Sequence, residues 1–248
     1  MAEFIELKVK RQDGPNAPSR WEEFRIPHKQ NMNVISLLQE IQRNPVNARG
    51  EKTTPVVWES NCLEEVCGAC TMIINGRARQ ACSALVDSLS KPVILEPLTS
   101  FPLVRDLMVD RGIMFEHLKR VKAWVPIDGT YDLGPGPKQG TRDQEWMYEL
   151  SKCMTCGCCM EACPNFGLHS NFMGPAPLNQ VRLFNAHPTG RMNREERLEA
   201  IMGLGGISDC GNAQNCVQAC PKSIPLTTSL AALNRDVNGY AVGGWFRR

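Results

Sequence analysis

The sequence predicts an α+β chain of two domains, a small mixed domain over residues 1–105 and a mostly α-helical one over residues 106–248. Up to about residue 102, alternating apolar positions and a tight-turn signal mark short strands around one helical segment. Beyond it, apolar residues recur at helical intervals on either side of a Gly- and Pro-rich stretch. The length agrees, since 248 residues suffice for two modest cores.

Residues 3–10 place Ile5, Leu7 and Val9 on one face and Glu6, Lys8 and Lys10 on the other, the pattern of a half-buried strand. A loop around Gly14, Pro15 and Pro18 leads to a second strand at 21–26. Asn33 then caps a helix carrying Val34, Leu38 and Ile41, stopped by Asn44 and Pro45. Asn75-Gly76 supplies the positive φ values of a hairpin turn between strands at 71–74 and 77–81. Leu103 to Trp124 reads as helical from Leu107, Ile113, Met114, Leu118 and Val121, with Gly112 weakening the pattern. Residues 126–144 carry too many Gly and Pro for regular structure and read as a loop. Further helices are expected at 143–152, 177–185, 193–203 and 226–234, with cysteines at helix ends.

Charge removes some functions. There are 28 basic and 26 acidic residues, split 13 to 12 up to residue 105 and 15 to 14 beyond it, so neither half is a basic arm. A role on nucleic acid therefore has no electrostatic support. No apolar run approaches the ~20 residues of a spanning helix, and MAEFIELKVK lacks a signal-peptide core, so the chain is expected to stay on the side of the membrane where it is made. Twelve cysteines fall below the ~8–10% of a disulfide scaffold, and clustered thiols in a reducing compartment point to metal or redox chemistry.

Three cysteine groups organise the chemistry. Cys62, Cys67, Cys70 and Cys82 spell C-x4-C-x2-C-x11-C, which matches the start of the plant-type 2Fe-2S pattern. Gly68 is expected to let the loop backbone approach the sulfurs, and Cys82 to arrive on a neighbouring strand. A zinc site also takes four thiolates, but its paired C-x2-4-C hooks fit this spacing poorly. Cys153, Cys156, Cys159 and Cys163-Pro164 form a complete bacterial ferredoxin run. Cys210, Ala213, Cys216 and Cys220-Pro221 repeat it position for position with one cysteine replaced by alanine. Because the fourth cysteine of such a run ligates the other run's cluster, the sets become Cys153, Cys156, Cys159 and Cys220, and Cys163, Cys210 and Cys216. Four thiolates hold a 4Fe-4S cluster. Three beside a methyl group suit a 3Fe-4S cluster, with a 4Fe-4S cluster bearing an open iron as the competing occupant. Cys158 is left over and reads as a small buried side chain. His28, His117, His169 and His187 form no ligand pair, and the five tryptophans read as core or interface residues. With no phosphate loop, nucleotide fingerprint or acid/base constellation, three clusters describe an electron wire that needs a donor and an acceptor.

The segments NCLEEVCGAC, CMTCGCCMEACP and CGNAQNCVQACP, with NPVNARGEKTTPVVW, KAWVPIDGTYDLGPGP and FMGPAPLNQVRLFNAHPTG, resemble the iron-sulfur subunit of succinate dehydrogenases and fumarate reductases over essentially the whole chain. The resemblance is greatest to the class with one two-haem cytochrome b anchor and menaquinone. It implies a β-grasp 2Fe-2S ferredoxin-like domain facing a flavoprotein with covalent FAD, and a helical ferredoxin domain seated on a haem b membrane anchor. The subunit would thus lie peripherally on the cytoplasmic face of the cell membrane. It implies electron flow from FAD through 2Fe-2S, 4Fe-4S and 3Fe-4S clusters to quinone, the same eleven cysteine ligands, and a quinone-binding role for Pro164. A fumarate reductase would run this wire in reverse. Members that use ubiquinone carry a Trp four residues after the motif Pro and a His after the first cysteine of the deficient run. Here those positions are Leu168 and Gly211.

Overall fold

The structure, a computed structural model, describes residues 4–125 and 138–246; most of the Gly- and Pro-rich stretch expected as a loop lies outside them. The strands are β1 (Phe4–Arg11), β2 (Arg20–Pro27), β3 (Thr71–Ile74), β4 (Arg77–Gln80), β5 (Val93–Glu96), β6 (Leu103–Arg105) and β7 (Met108–Val109). The helices are α1 (Val34–Arg43), α2 (Gly112–Arg120), α3 (Thr141–Ser151), α4 (Cys158–Glu161), α5 (Pro175–Ala186), α6 (Arg194–Met202), α7 (Asn215–Gln218) and α8 (Leu226–Phe246). They form two compact units, one of residues 1–111 with 154–161 and one of 112–153 with 162–248. The first unit reaches Arg111 and takes in a short segment of the second half of the chain.

In the first unit the sheet order is β2-β1-β5-β3-β4, with β1 and β5 parallel and the other neighbours antiparallel. The predicted alternation of β1 puts Ile5, Leu7 and Val9 in the core, where α1 adds Val34, Leu37, Leu38 and Ile41. Asn33 caps α1, its Oδ1 accepting from the Ser36 amide at 2.9 Å, while its Nδ2 donates to the Cys82 carbonyl at 2.9 Å. The cap that starts the helix therefore also holds a cysteine of the first group. Glu161, at the end of α4, accepts from the Thr99 amide at 2.8 Å and the Ser100 amide at 2.9 Å, which ties residues 154–161 into this unit.

The helix expected from Leu103 begins only at Gly112; Leu103–Val109 is instead the β6-β7 hairpin, with Asp106 at φ 48° in its turn. The reason is a buried charge. Arg11 and Asp106 are both 0% exposed, and Nε of Arg11 donates to Asp106 at 3.0 Å. The remaining guanidinium protons go to Glu22, to the Thr54 and Pro55 carbonyls and to Thr54 Oγ1. Asp106 also accepts from the amides of Gln12 and Val57 at 3.1 and 3.0 Å. Leu107, which mimics helical spacing with Met114 and Val121, is buried in the first unit's core cluster.

In the second unit α5 is the central helix, packed against α2, α3, α6 and α8. Pro175 opens it two residues before the expected start, its fixed φ suiting the first turn. Buried Asn179 donates to the Leu150 carbonyl of α3 at 3.3 Å and accepts from Ser229 of α8 at 3.2 Å. Helix α8 runs to Phe246, well past the expected 234, because Asn234, Arg235 and Asp236 interrupt the apolar spacing without breaking the helix. Among the described residues no helix is long and apolar enough to cross a membrane.

Asp106→Ala should destabilise the first unit by about 3 kcal/mol, because the buried Arg11 loses one of its two carboxylate partners and the Gln12 and Val57 amides lose their acceptor, whereas Asn33→Ala should cost about 1 kcal/mol through loss of a cap. Urea unfolding followed by circular dichroism checks the ranking.

Candidate metal centres

The first cysteine group lies in a loop whose backbone is left-handed at Leu63 (φ 61°), Glu65 (φ 56°) and Gly68 (φ 71°). This winding turns amides onto sulfur. The N–H groups of Glu64 and Val66 donate to Cys62 Sγ at 3.4 Å, and that of Ala69 to Cys67 Sγ at 3.4 Å. Those donors, with Cys67 hydrogen-bonded alongside, pull the Cys62 thiol down to about 7. Cys70 is pushed up to about 12, chiefly by burial, beside Cys82 to which it is hydrogen-bonded. Cys82 falls two residues beyond the end of β4, in a turn rather than on the expected strand. Arg111 donates to the Gly68 and Ala69 carbonyls at 2.6 and 3.1 Å and to Glu59 at 2.9 Å, so a cation fastens the loop.

Gly68 has a further close neighbour. A Cβ added there would lie 2.5 Å from the Cα of Cys156, closer than packed atoms allow. The glycine therefore brings the first sulfur loop against the backbone of the second cysteine run, within the first unit.

The two ferredoxin-type runs repeat in backbone as well as in sequence. Thr155 (φ 52°) and Gly157 (φ 88°) are left-handed two and four residues after Cys153; Asn212 (φ 53°) and Gln214 (φ 63°) are left-handed two and four residues after Cys210. One-turn helices follow at the same offset, α4 from Cys158 and α7 from Asn215. In the second run the Ile224 amide donates to Cys220 Sγ at 3.4 Å. Of the complete run, Cys156 and Cys159 belong to the first unit, while Cys153 and Cys220 belong to the second.

Cys163, Cys210 and Cys216 line one recess of the second unit with Pro164 and Ala213, closed on one side by Thr227 and Leu230 of α8. Its volume is ≈ 340 Å³, part of it open to solvent. Burial raises the Cys163 and Cys216 thiols, and for Cys216 the neighbouring Cys163 adds to the effect. Ionised together in such a recess, the three sulfurs would need cationic compensation, which iron would supply. The methyl of Ala213 faces this recess where the other run has a cysteine. Among the described residues no three Cys, His, Asp or Glu side chains close around a single ion.

Cys158 is 0% exposed and hydrogen-bonded to Cys156, and this contact is the main cause that lowers the Cys156 thiol to about 7. Gln80, also 0% exposed, reaches Cys158 Sγ from β4 at 3.4 Å. The histidines have structural partners instead of metal-ligand ones: His117 bonds the Met173 carbonyl, His187 accepts from the Thr189 and Gly190 amides, and His28 pairs with Asp87. Sequence reasoning missed Arg111 and Gln80, which no motif marks. It also missed Asn212 and Gln214, of which only Asn has a recognised tendency to be left-handed.

Comparison with known proteins extends these local findings to the whole chain. The family described as 2Fe-2S iron-sulfur cluster binding domain matches residues 6–116, and that described as 4Fe-4S dicluster domain matches residues 149–224. The succinate dehydrogenase iron-sulfur subunit of Bacillus subtilis is 64% identical over 98% of this chain and 96% of its own. The fumarate reductase iron-sulfur subunit of Wolinella succinogenes is 30% identical over 96% of this chain and 98% of its own. A chain of the Mycobacterium smegmatis Sdh1 complex in the apo form shares the fold, with a TM-score of 0.77, 24% identity and 96% of each chain covered.

Gly68→Ala should reduce the iron retained per chain relative to Gly76→Ala. Both glycines have positive φ, 71° and 77°, but an added Cβ at Gly76 meets nothing within 4 Å. Iron and sulfide analysis of the two variants isolates the close approach from backbone strain.

Proposed function

Because this chain belongs to the family of iron-sulfur subunits of succinate dehydrogenases and fumarate reductases, we propose that it is the electron-transfer subunit of a succinate dehydrogenase, carrying electrons from a flavoprotein to a membrane quinone. The observation that carries the reading is 64% identity along 98% of the chain to a succinate dehydrogenase subunit, against 30% to a fumarate reductase one. That difference favours succinate oxidation over the reverse reaction.

Cys62, Cys67, Cys70 and Cys82 hold the 2Fe-2S cluster in this reading, Cys153, Cys156, Cys159 and Cys220 the 4Fe-4S cluster, and Cys163, Cys210 and Cys216 the 3Fe-4S cluster. The domains are the 2Fe-2S β-grasp domain and the helical domain that follows it. The clusters supply one-electron redox capacity, and the chain supplies ionised thiolates, amide donors to them and shielding from water. The flavoprotein partner carries FAD, and the other partner is a haem b anchor that holds the subunit on the cytoplasmic face of the cell membrane.

The quinone is menaquinone, bound near Pro164 on the rim of the recess of Cys163, Cys210 and Cys216. Leu168 is 57% exposed, with no indole to offer a donor. A Cβ at Gly211 would come within 3.1 Å of the Asn165 side chain, whose Nδ2 is engaged with the Asp209 carbonyl at 2.7 Å. Asn165 thus uses the space that a histidine at 211 would need, which supports a quinone site built differently from the ubiquinone type.

The assembled complex should reduce menaquinone analogues faster than ubiquinone analogues; equal or reversed rates would remove the quinone assignment. Expressed alone, the chain should oxidise no succinate, and turnover by it alone would overturn the subunit reading. Ala213→Cys offers a fourth thiolate at the repeat's own spacing and should convert the 3Fe-4S centre to 4Fe-4S. Electron paramagnetic resonance of the oxidised complex checks this, because an oxidised 3Fe-4S cluster is paramagnetic and an oxidised 4Fe-4S cluster of ferredoxin type is not.

A further inference from the structure

A side-chain contact that no cysteine spacing requires joins the two parts of the first cysteine group. Ser83, the residue after Cys82, donates its hydroxyl proton to the Glu65 carboxylate at 2.5 Å. The Gln80 carbonyl lies farther from the same hydroxyl, at 3.3 Å, so the carboxylate takes the one proton. Glu65 stands in the loop between Cys62 and Cys67. Its two chain neighbours are the residues whose amides reach sulfur, Glu64 and Val66, each donating to Cys62 Sγ at 3.4 Å.

The backbone gives this contact a role. Glu65 is left-handed, with φ 56°, a conformation that glycine adopts freely and a residue with a Cβ resists. Glycine there would ease the turn but would leave Ser83 without its carboxylate. The φ and ψ of Glu65 set the direction of the Val66 N–H, being the two soft dihedrals between that amide and the preceding chain. A carboxylate tied to Ser83 opposes a return of Glu65 to ordinary backbone and so keeps the Val66 amide on Cys62. The anchor is itself held: Asn33 Nδ2 donates to the Cys82 carbonyl at 2.9 Å, and the Ala81 amide donates to the Cys70 carbonyl at 3.1 Å.

We propose that Glu65 and Ser83 are positioning residues for the binuclear centre, a latch that holds the left-handed turn aiming the Val66 amide at the Cys62 sulfur and thereby raises the centre's reduction potential. This rests on the reading of Cys62 as a ligand. Reduction adds negative charge to a cluster, and donors to its sulfurs stabilise the reduced form.

The test is a potentiometric titration of the assembled complex, following the reduced 2Fe-2S centre by electron paramagnetic resonance. At the wild-type midpoint, Ser83→Ala should lower the ratio of reduced to oxidised centre about five-fold, the equivalent of one neutral hydrogen bond. Glu65→Asp keeps the charge and tolerates left-handed backbone, but its arm is one carbon shorter, so it should lower the ratio to a similar extent. Ser83→Thr keeps the hydroxyl and should stay near wild type. Combined in one chain, Ser83→Ala and Glu65→Asp should fall no further than either alone, because they break the same contact. The 3Fe-4S centre should titrate unchanged in all of them. An unmoved midpoint in Ser83→Ala with the cluster present would overturn the proposal, as would Ser83→Thr falling as far as Ser83→Ala or additive shifts in the double variant. Should Ser83→Ala fail to assemble, Glu65→Asp decides by the same criterion. Loss of the binuclear signal from both single variants would make the contact a requirement for the centre instead of a setting of its potential, and would equally overturn it. Cys62→Ala that retains the binuclear signal would overturn the ligand reading itself, which separates that failure from failure of the latch.

Discussion

As ligands of iron, these cysteines would carry negative charge into loops that are partly or wholly shielded from water, and that charge would have to be met. Backbone amides do part of the work here, and they can do so only where the chain leaves regular structure. A strand or helix spends its N–H groups on its own ladder. Left-handed residues recur in the cysteine segments, at Leu63, Glu65 and Gly68 and then at Thr155, Gly157, Asn212 and Gln214. Each reverses the chain locally, and around Cys62 and Cys67 the freed amides lie 3.4 Å from sulfur. The regular elements take the positions this arrangement leaves to them, with the Asn33 cap of α1 holding Cys82 and Glu161 fastening the segment that bears Cys156 and Cys159.

Irregular segments leave carbonyls without partners in regular structure, and arginine takes up several of them. Arg11 takes the Thr54 and Pro55 carbonyls, Arg111 those of Gly68 and Ala69, and Arg120 those of Ala200 and Leu204. Arg197, buried in the second unit without a carboxylate partner, takes those of Lys122, Gly190 and Trp124. A guanidinium suits this role because five donors in a rigid fork can serve several acceptors at once. The near balance of basic and acidic residues in each half therefore hides a division of labour. Several of the positive charges are structural members that hold backbone carbonyls.

What was legible in the sequence follows from which signals are local. The alternation of β1, the Asn33 cap and the Asn75-Gly76 turn act over a few residues, and each element appears where those signals fall. The cysteine spacings were legible because a thiolate count and its intervals state a ligand requirement directly. Leu103–Val109 misled because its apolar interval to Met114 is satisfied by a different geometry, one imposed by Arg11 from 95 residues away. The approach of Gly68 to Cys156 lies outside local signals, since its partner is far along the chain. Gln80 was invisible, because a glutamine on a short strand is ordinarily solvent-facing and only the fold buries it.

Gln214 shows how far the repeat is held by structure. Its counterpart Gly157 meets a left-handed φ without strain, whereas a side chain with a Cβ there costs roughly 1–2 kcal/mol. The second run accepts that cost and keeps its left-handed turn, although it has lost the thiolate at Ala213 that the turn presents in the first run. The turn must therefore serve the remaining members of the set. It carries the chain from Cys210 around the recess to Cys216 at the same offset as in the complete run. The two runs thus differ at this position by one sulfur atom and keep the same left-handed residues around it.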